Sequence, residues 1–142
     1  IEKSTKTMEL YRNDVQRDLS YMTYAPICFF SALTGSRLNK VFELIKYVNN
    51  QHAMRISTGV LNDVLNEAIT KVQPPSDKGK RLKIFYGTQA SVSPPTFVLF
   101  CNSKDLFHYS YLRFIENQIR STFGFDGTPI HFILREKDKK DR

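Results

Sequence analysis

Two proline pairs, Pro74-Pro75 and Pro94-Pro95, constrain this chain most. Proline lacks the N–H that a helix interior and a central sheet ladder both require. The first pair must follow a helix: before it Leu61, Val64, Leu65, Ala68, Ile69 and Val72 recur at three- and four-residue steps, behind a cap at Ser57 or Thr58. The second pair separates two strand-like runs, Leu82 to Tyr86 and Thr96 to Cys101, and predicts a long hairpin whose pairing is interrupted at Ser93-Pro94-Pro95. Residues 106 to 123 then place Leu112, Ile115, Ile119 and Phe123 on one helical face, and Gly124-Phe125-Asp126-Gly127 stops that helix. Thr128 to Arg135 alternates Ile130, Phe132 and Leu134 with His131, Ile133 and Arg135, as a final strand does. The order helix-strand-strand-helix-strand, with a short pairing strand at Arg55-Ile56-Ser57, predicts an α+β domain with two helices on one face of a small, mostly antiparallel sheet.

Upstream, Met8, Tyr11, Val15, Leu19 and Met22 mark a helix within residues 5 to 22. Pro26 blocks its continuation, and Ile27-Cys28-Phe29-Phe30 reads as a strand buried on both sides of a parallel sheet. After the Thr34-Gly35-Ser36 turn, Leu38, Val41, Phe42, Ile45 and Val48 form another apolar face, with Ser36 as its N-cap. This helix-strand-helix order is an α/β unit. Asn49-Asn50-Gln51-His52 lacks periodicity, which puts a boundary between residues 1–54 and 55–142.

Hydrophobic residues make up 41% of the 142 residues, enough for a packed core. The longest apolar runs, such as Phe97 to Cys101, fall far short of the roughly 20 residues of a spanning helix. With no opening signal peptide, they predict a cytoplasmic protein without membrane contact. A first residue of Ile rather than Met fits a fragment. Cys28 and Cys101 sit in apolar runs and read as free buried thiols. His52, His108 and His131 are too scattered for a metal or catalytic set. No nucleophile, base and orienter stand out together.

The stretch APICFFSALTG (25–35) raises the question of a guanine-nucleotide site, because an apolar run ending in Ser-Ala and leading into a helix suits a base-closing loop. Phosphate binding needs a G-x-x-x-x-G-K-[ST] loop, and Gly79-Lys80 is followed by Arg81 without the upstream glycine. No aspartate has glycine three residues on, and Asn39-Lys40-Val41 is followed by Phe42 where a base-reading N-K-x-D needs aspartate. The chain alone is therefore predicted not to hydrolyse GTP.

APICFFSALTG followed by RLNKVFELI, then RISTGVLNDVLNEAI, RLKIFYGTQASVSPPTFVLFCN and YLRFIENQIRSTFGFDGTPI, in that order from Lys6 to Lys137, resembles the C-terminal part of the Der (EngA) family of bacterial GTPases. That family has two tandem G domains and a KH-like domain. The resemblance implies that residues 1–54 end the second G domain, a P-loop GTPase fold, and that 55–142 are the KH-like domain with a basic tail. It implies a guanine-binding loop at Ser31, Ala32 and Leu33, where the Ala32 N–H would donate to the guanine carbonyl oxygen. It also implies a cytoplasmic parent protein that hydrolyses GTP to GDP with Mg²⁺ and acts in assembly of the large ribosomal subunit. Its KH-like domain would contact ribosomal RNA and the G domains.

The formal net charge is +7, and its surplus gathers at Lys78, Lys80, Arg81 and Lys83 and in the tail at Arg135, Lys137, Lys139, Lys140 and Arg142. Such clusters suit a polyanion such as RNA. Gly124-Phe125-Asp126-Gly127 has the spacing of a KH phosphate-gripping loop, but it leads into a strand and carries a carboxylate, so it reads as a helix stop. The alternative function is a protein-interaction module that docks on a G domain and senses its nucleotide state, with Tyr86, Phe107 or Tyr109 as anchors.

Overall fold

The computed structural model describes residues 5–138. Helix α1 (Thr5–Asp18) runs into a 3-10 turn at Ser20–Met22, and α2 spans Leu38–His52. Between them Ile27-Cys28-Phe29-Phe30 is not the buried strand expected. It has no ladder partner among the described residues, and Phe30 is 53% exposed. A strand is held by its neighbours' backbone groups, and among the described residues this run has none to pair with. Cys28 is accordingly only half-buried. Ser36 does not cap α2 either. Arg37 takes that position at φ 64°, while the Ser36 N–H donates to Thr34 Oγ1 (3.3 Å) and its carbonyl accepts from the Ser31 N–H (3.1 Å). No residue in 5–54 is buried: α1 shows Leu10, Tyr11 and Val15 to solvent, and α2 shows Phe42 and Ile45.

Helix α3 (Thr58–Lys71) is capped by Ser57, whose side chain accepts from the Val60 N–H, and buries Leu61, Val64, Leu65 and Ala68. Val72, expected on that face, is an exposed, extended cap residue ahead of the proline pair. A two-residue ribbon follows that the periodicity did not suggest. It consists of β1 (Ser76–Asp77) and β2 (Lys80–Arg81), joined by Lys78 and Gly79 at φ 50° and 79°, the left-handed pair a tight hairpin needs. Strand β3 (Ile84–Ser91) then pairs antiparallel with β4 (Thr96–Cys101), as the hairpin reading expected. After a 3-10 turn at Lys104–Leu106, α4 (Tyr109–Phe123) leads to β5 (His131–Glu136).

The sheet order is β3-β4-β5, and β5 runs parallel to β4, so the sheet is mixed rather than mostly antiparallel. Helix α4 is the crossover that returns the chain to start β5 beside the start of β4. Arg55-Ile56-Ser57 forms no strand. The Gln89 side chain replaces the ladder there, with Oε1 accepting from the Ile56 N–H (2.8 Å) and Nε2 donating to the Met54 carbonyl (3.0 Å).

Phe97, Leu99 and Cys101 of β4 meet Leu61 and Leu65 of α3, Ile115 and Ile119 of α4, and Phe125 in one core. Burial pushes the Cys101 thiol pKa up. Side chains alternate along a strand, so Thr96, Val98 and Phe100 face away from that core; Val98 is nonetheless buried, between Thr88 and Ile133 on the flanking strands, whereas Thr96 and Phe100 are half-buried. Helix α3 lies so close to β3 that a Cβ on Gly87 would sit 2.9 Å from both Leu65 and Leu99. Asn62 fixes that approach by accepting from the Gly87 N–H (2.8 Å) and donating to its carbonyl (3.0 Å). Among the described residues no helix is long and apolar enough to cross a membrane.

Candidate nucleic-acid interface

Cys101 pairs with Ile84 on one side and Glu136 on the other, so the start of β3 and the end of β5 meet at one end of the sheet. Asn102 ties that end together: its Oδ1 accepts from the Lys83 N–H (2.9 Å) and its Nδ2 donates to the Arg81 carbonyl (2.9 Å). The Lys137 N–H donates to the Cys101 carbonyl (2.9 Å), and the Lys104 N–H to Glu136 Oε1 (2.9 Å). Arg81, Lys83, Arg135 and Lys137 are thereby brought together, with Lys104 beside them, and the ribbon carries Lys78 and Lys80 further out. Against these basic groups stand the carboxylates of Asp77, Asp105, Glu136 and Asp138, which leaves a positive surplus. Lys139 and Lys140 lie outside the described residues. Arg81 is partly committed, donating to Gln73 Oε1 at 3.0 Å.

Next to this end, on the face turned away from α3 and α4, the half-buried rings of Tyr86 and Phe100 stack with centroids 4.5 Å apart and planes 22° apart. Lys137 Nζ donates to the Tyr86 hydroxyl (3.0 Å) and lies 5.2 and 5.5 Å from the two ring centroids. Sequence reasoning missed Phe100, Lys104 and Asn102. The signal for Phe100 was present: a strand apolar at every position from Phe97 to Cys101 must place large side chains on both faces. Of the other aromatic anchors considered, Phe107 is buried in the core, whereas Tyr109 is exposed.

The Gly124–Gly127 turn serves a different purpose. Gly124 ends α4 at φ 96° with its N–H donating to the Arg120 carbonyl (2.8 Å), and Phe125 is fully buried. The Arg120 guanidinium donates to the Phe125 and Thr128 carbonyls, both at 2.9 Å, and lies 4.9 Å from the Tyr24 ring centroid. From the N-terminal segment, Tyr47 donates its hydroxyl to Asp126, His52 Nδ1 lies 2.8 Å from Thr128 Oγ1, and the Tyr24 carbonyl accepts from the Gly127 N–H (2.8 Å). The turn is thus occupied by α2 and its approach. The Ser93 N–H, near the start of β4, donates to the His52 carbonyl (2.9 Å), so this junction sits at the end of the sheet opposite the basic one, about 20 Å away along β4.

Ser31, Ala32 and Leu33 form a tight turn, in which Ser31 Oγ accepts from the Thr34 N–H (3.3 Å) and its carbonyl from the Gly35 N–H (2.9 Å). Among the described residues the Ala32 N–H has no acceptor, and Leu33 is 96% exposed. The turn thus leaves one backbone donor without an acceptor, and Gly79-Lys80 lies on the β1–β2 ribbon, not at the helix N-terminus a phosphate loop needs. Among the described residues no three His, Cys, Asp or Glu side chains gather as a metal site.

A helix-strand-strand-helix-strand domain whose third strand lies parallel to the second, with a glycine turn feeding that strand, is a KH-like module. Residues 55–135 match the family described as KH-domain-like of EngA bacterial GTPase enzymes, C-terminal, and the chain belongs to that family. Curated relatives extend the similarity upstream. The chain is 64% identical over 140 residues to GTPase Der of Acetivibrio thermocellus, 61% over 141 to GTPase Der of Alkaliphilus oremlandii and 60% over 141 to GTPase Der of Ruminiclostridium cellulolyticum. Each alignment covers 99% of this chain and 32% of the relative, so the chain spans about a third of the length of the curated relatives it matches.

Proposed function

We propose that this chain is the RNA-contacting end of a ribosome-assembly GTPase, and that RNA meets the basic end of its KH-like sheet. The observation that carries this is the convergence of Arg81, Lys83, Lys104, Arg135 and Lys137 around the last residues of β4, remote from the surface that α2 occupies. Positive groups gathered on a fixed frame release counterions when they meet phosphates, which supplies affinity independent of sequence. Residues 1–54 are read as the end of the second G domain. Supporting this, none of 5–54 is buried, as expected of helices whose packing partners belong to a larger domain. In the same reading Ser31, Ala32 and Leu33 close over guanine, while the parent protein supplies the phosphate loop, Mg²⁺ and GTP hydrolysis in the cytoplasm.

Replacing Lys78, Lys80, Arg81 and Lys83 by glutamine tests the proposed interface. Binding to ribosomal RNA should weaken, and the log–log salt slope should flatten by about 0.7 to 0.9 for each phosphate left unneutralised. Superimposable filter-binding curves across about 50 to 200 mM salt would remove the support for this reading. A second reading, a module that docks on a G domain and senses its nucleotide state, is favoured by the bonds from Tyr47, His52 and Tyr24 to residues 126–128. It predicts normal RNA curves for the glutamine variant but altered nucleotide affinity in a full-length relative carrying Asp126→Ala.

A further inference from the structure

We propose that the face of the β3-β4-β5 sheet turned away from α3 and α4 takes unpaired RNA bases at its Cys101 end, one of them stacking on the half-buried Phe100 beside the exposed Arg135. This rests on the nucleic-acid interface proposed above and specifies its ligand as single-stranded RNA. In register across the sheet stand Tyr86, Phe100 and Arg135: a ring, a ring and a guanidinium on three adjacent strands. The two rings are already stacked, with planes 22° apart, so the stack can be continued on this face by a third flat group. A depression of about 570 Å³ opens beside it along β5, lined by Phe100, Lys104 and residues 133–137, among them Arg135, Glu136 and Lys137. That is ample for a nucleobase.

The charges at its rim suit a nucleotide. Among the described residues no group pairs with the Arg135 guanidinium, and the Lys137 ammonium donates to the Tyr86 hydroxyl and lies alongside the stacked pair, 5.2 and 5.5 Å from the two ring centroids, with no carboxylate partner. Both cations are therefore available to a phosphate. The Glu136 carboxylate also lines the depression, but one of its oxygens is engaged by the Lys104 N–H at 2.9 Å. Lysine is depleted from protein–protein interfaces, whereas aromatic rings interleaved with basic side chains are how single-stranded nucleic acid is gripped. A base within a duplex already has both faces stacked, so this platform selects unpaired bases. It is also separate from the Gly124–Gly127 turn, which α2 occupies.

The test measures the anisotropy of the full chain with a labelled oligouridine of about twelve nucleotides and with an RNA duplex of equal length. Phe100→Leu should weaken oligouridine binding roughly tenfold without changing its salt slope, and should leave duplex binding unaltered. Arg135→Gln with Lys137→Gln should flatten the oligouridine slope by about 0.7 for each phosphate no longer neutralised. Should Phe100→Leu shift the unfolding midpoint, Tyr86→Leu takes its place with the same readouts. Unchanged oligouridine binding in a folded ring variant, or equal losses on both RNAs, overturns the stacking site while leaving the electrostatic interface standing. Failure of the unmodified chain to bind either RNA overturns both. Protection of residues 98–104 and 133–137 from hydrogen exchange by an added G domain, and not by oligouridine, would make the face a protein dock and also overturn the inference.

Discussion

The Gly127 Cα faces the Val48 side chain so closely that a Cβ there would lie 2.5 Å from Val48 Cγ2. Helix α2 is thereby seated on the turn that ends α4, and the N-terminal segment and the KH-like domain meet at a distance only glycine permits. Gly127 also has φ 77°, a conformation that side chains resist. Gly127→Ala is expected to cost about 1–3 kcal/mol in urea unfolding. Val48→Ala combined with it should recover part of that cost, because the two positions share the space. Strict additivity of the two changes would argue against this packing.

The bond from Tyr47 to Asp126 makes the same junction sensitive to alkali. That hydrogen bond, assisted by desolvation and the carboxylate's charge, raises the phenol above its usual value of 10.0. A group whose folded value is raised contributes stability that is complete below its unfolded value and is lost as pH rises through the folded one. Tyr47→Phe should therefore lower the urea midpoint near about pH 8, and the difference should shrink above about pH 10. A difference that stays constant to about pH 11 would show that the bond contributes nothing through titration.

Gln89 occupies the place a strand was expected to fill. Gln89→Ala would leave the Ile56 N–H and the Met54 carbonyl without their present partners, at a cost of about 1–3 kcal/mol. Hydrogen exchange should report it locally, as faster exchange of the Ile56 amide, whereas unchanged exchange at Ile56 would mean the bond is not formed in solution.

What the sequence displayed and what it hid follow from the range of each interaction. The Leu61-Val64-Leu65-Ala68 stripe, the Ser57 cap and the Gly124 stop are local, and each was legible from spacing or residue chemistry. The direction of β5 was not, because a parallel pairing is set by how far α4 carries the chain back, which no dipeptide records. The Lys78-Gly79 hairpin was hidden because a lysine at φ 50° violates the usual preference for Asn or Gly. Ile27 to Phe30 misled for the opposite reason: an apolar run reads as buried from composition alone, but no strand among the described residues pairs with it and none of its residues is buried. At the candidate interface the individual lysines and arginines could be read, but their convergence depends on Asn102 and on the pairing of Cys101 with both neighbouring strands, which are long-range features.

The central claim, that RNA meets the end of the sheet at Cys101, is tested most directly by comparing two charge-matched variants in the same salt titration. One replaces Lys83, Lys104, Arg135 and Lys137 by glutamine, and the other replaces Lys6, Arg17, Lys40 and Lys46, which lie on α1 and α2. Both lose the same formal charge, so any difference between them reports place and not total. The first should lower the log–log slope of RNA affinity by about 0.7 for each phosphate left without its cation, with the second leaving it at the unmodified value. Equal slopes for the two variants would contradict the account, showing that RNA responds only to net charge.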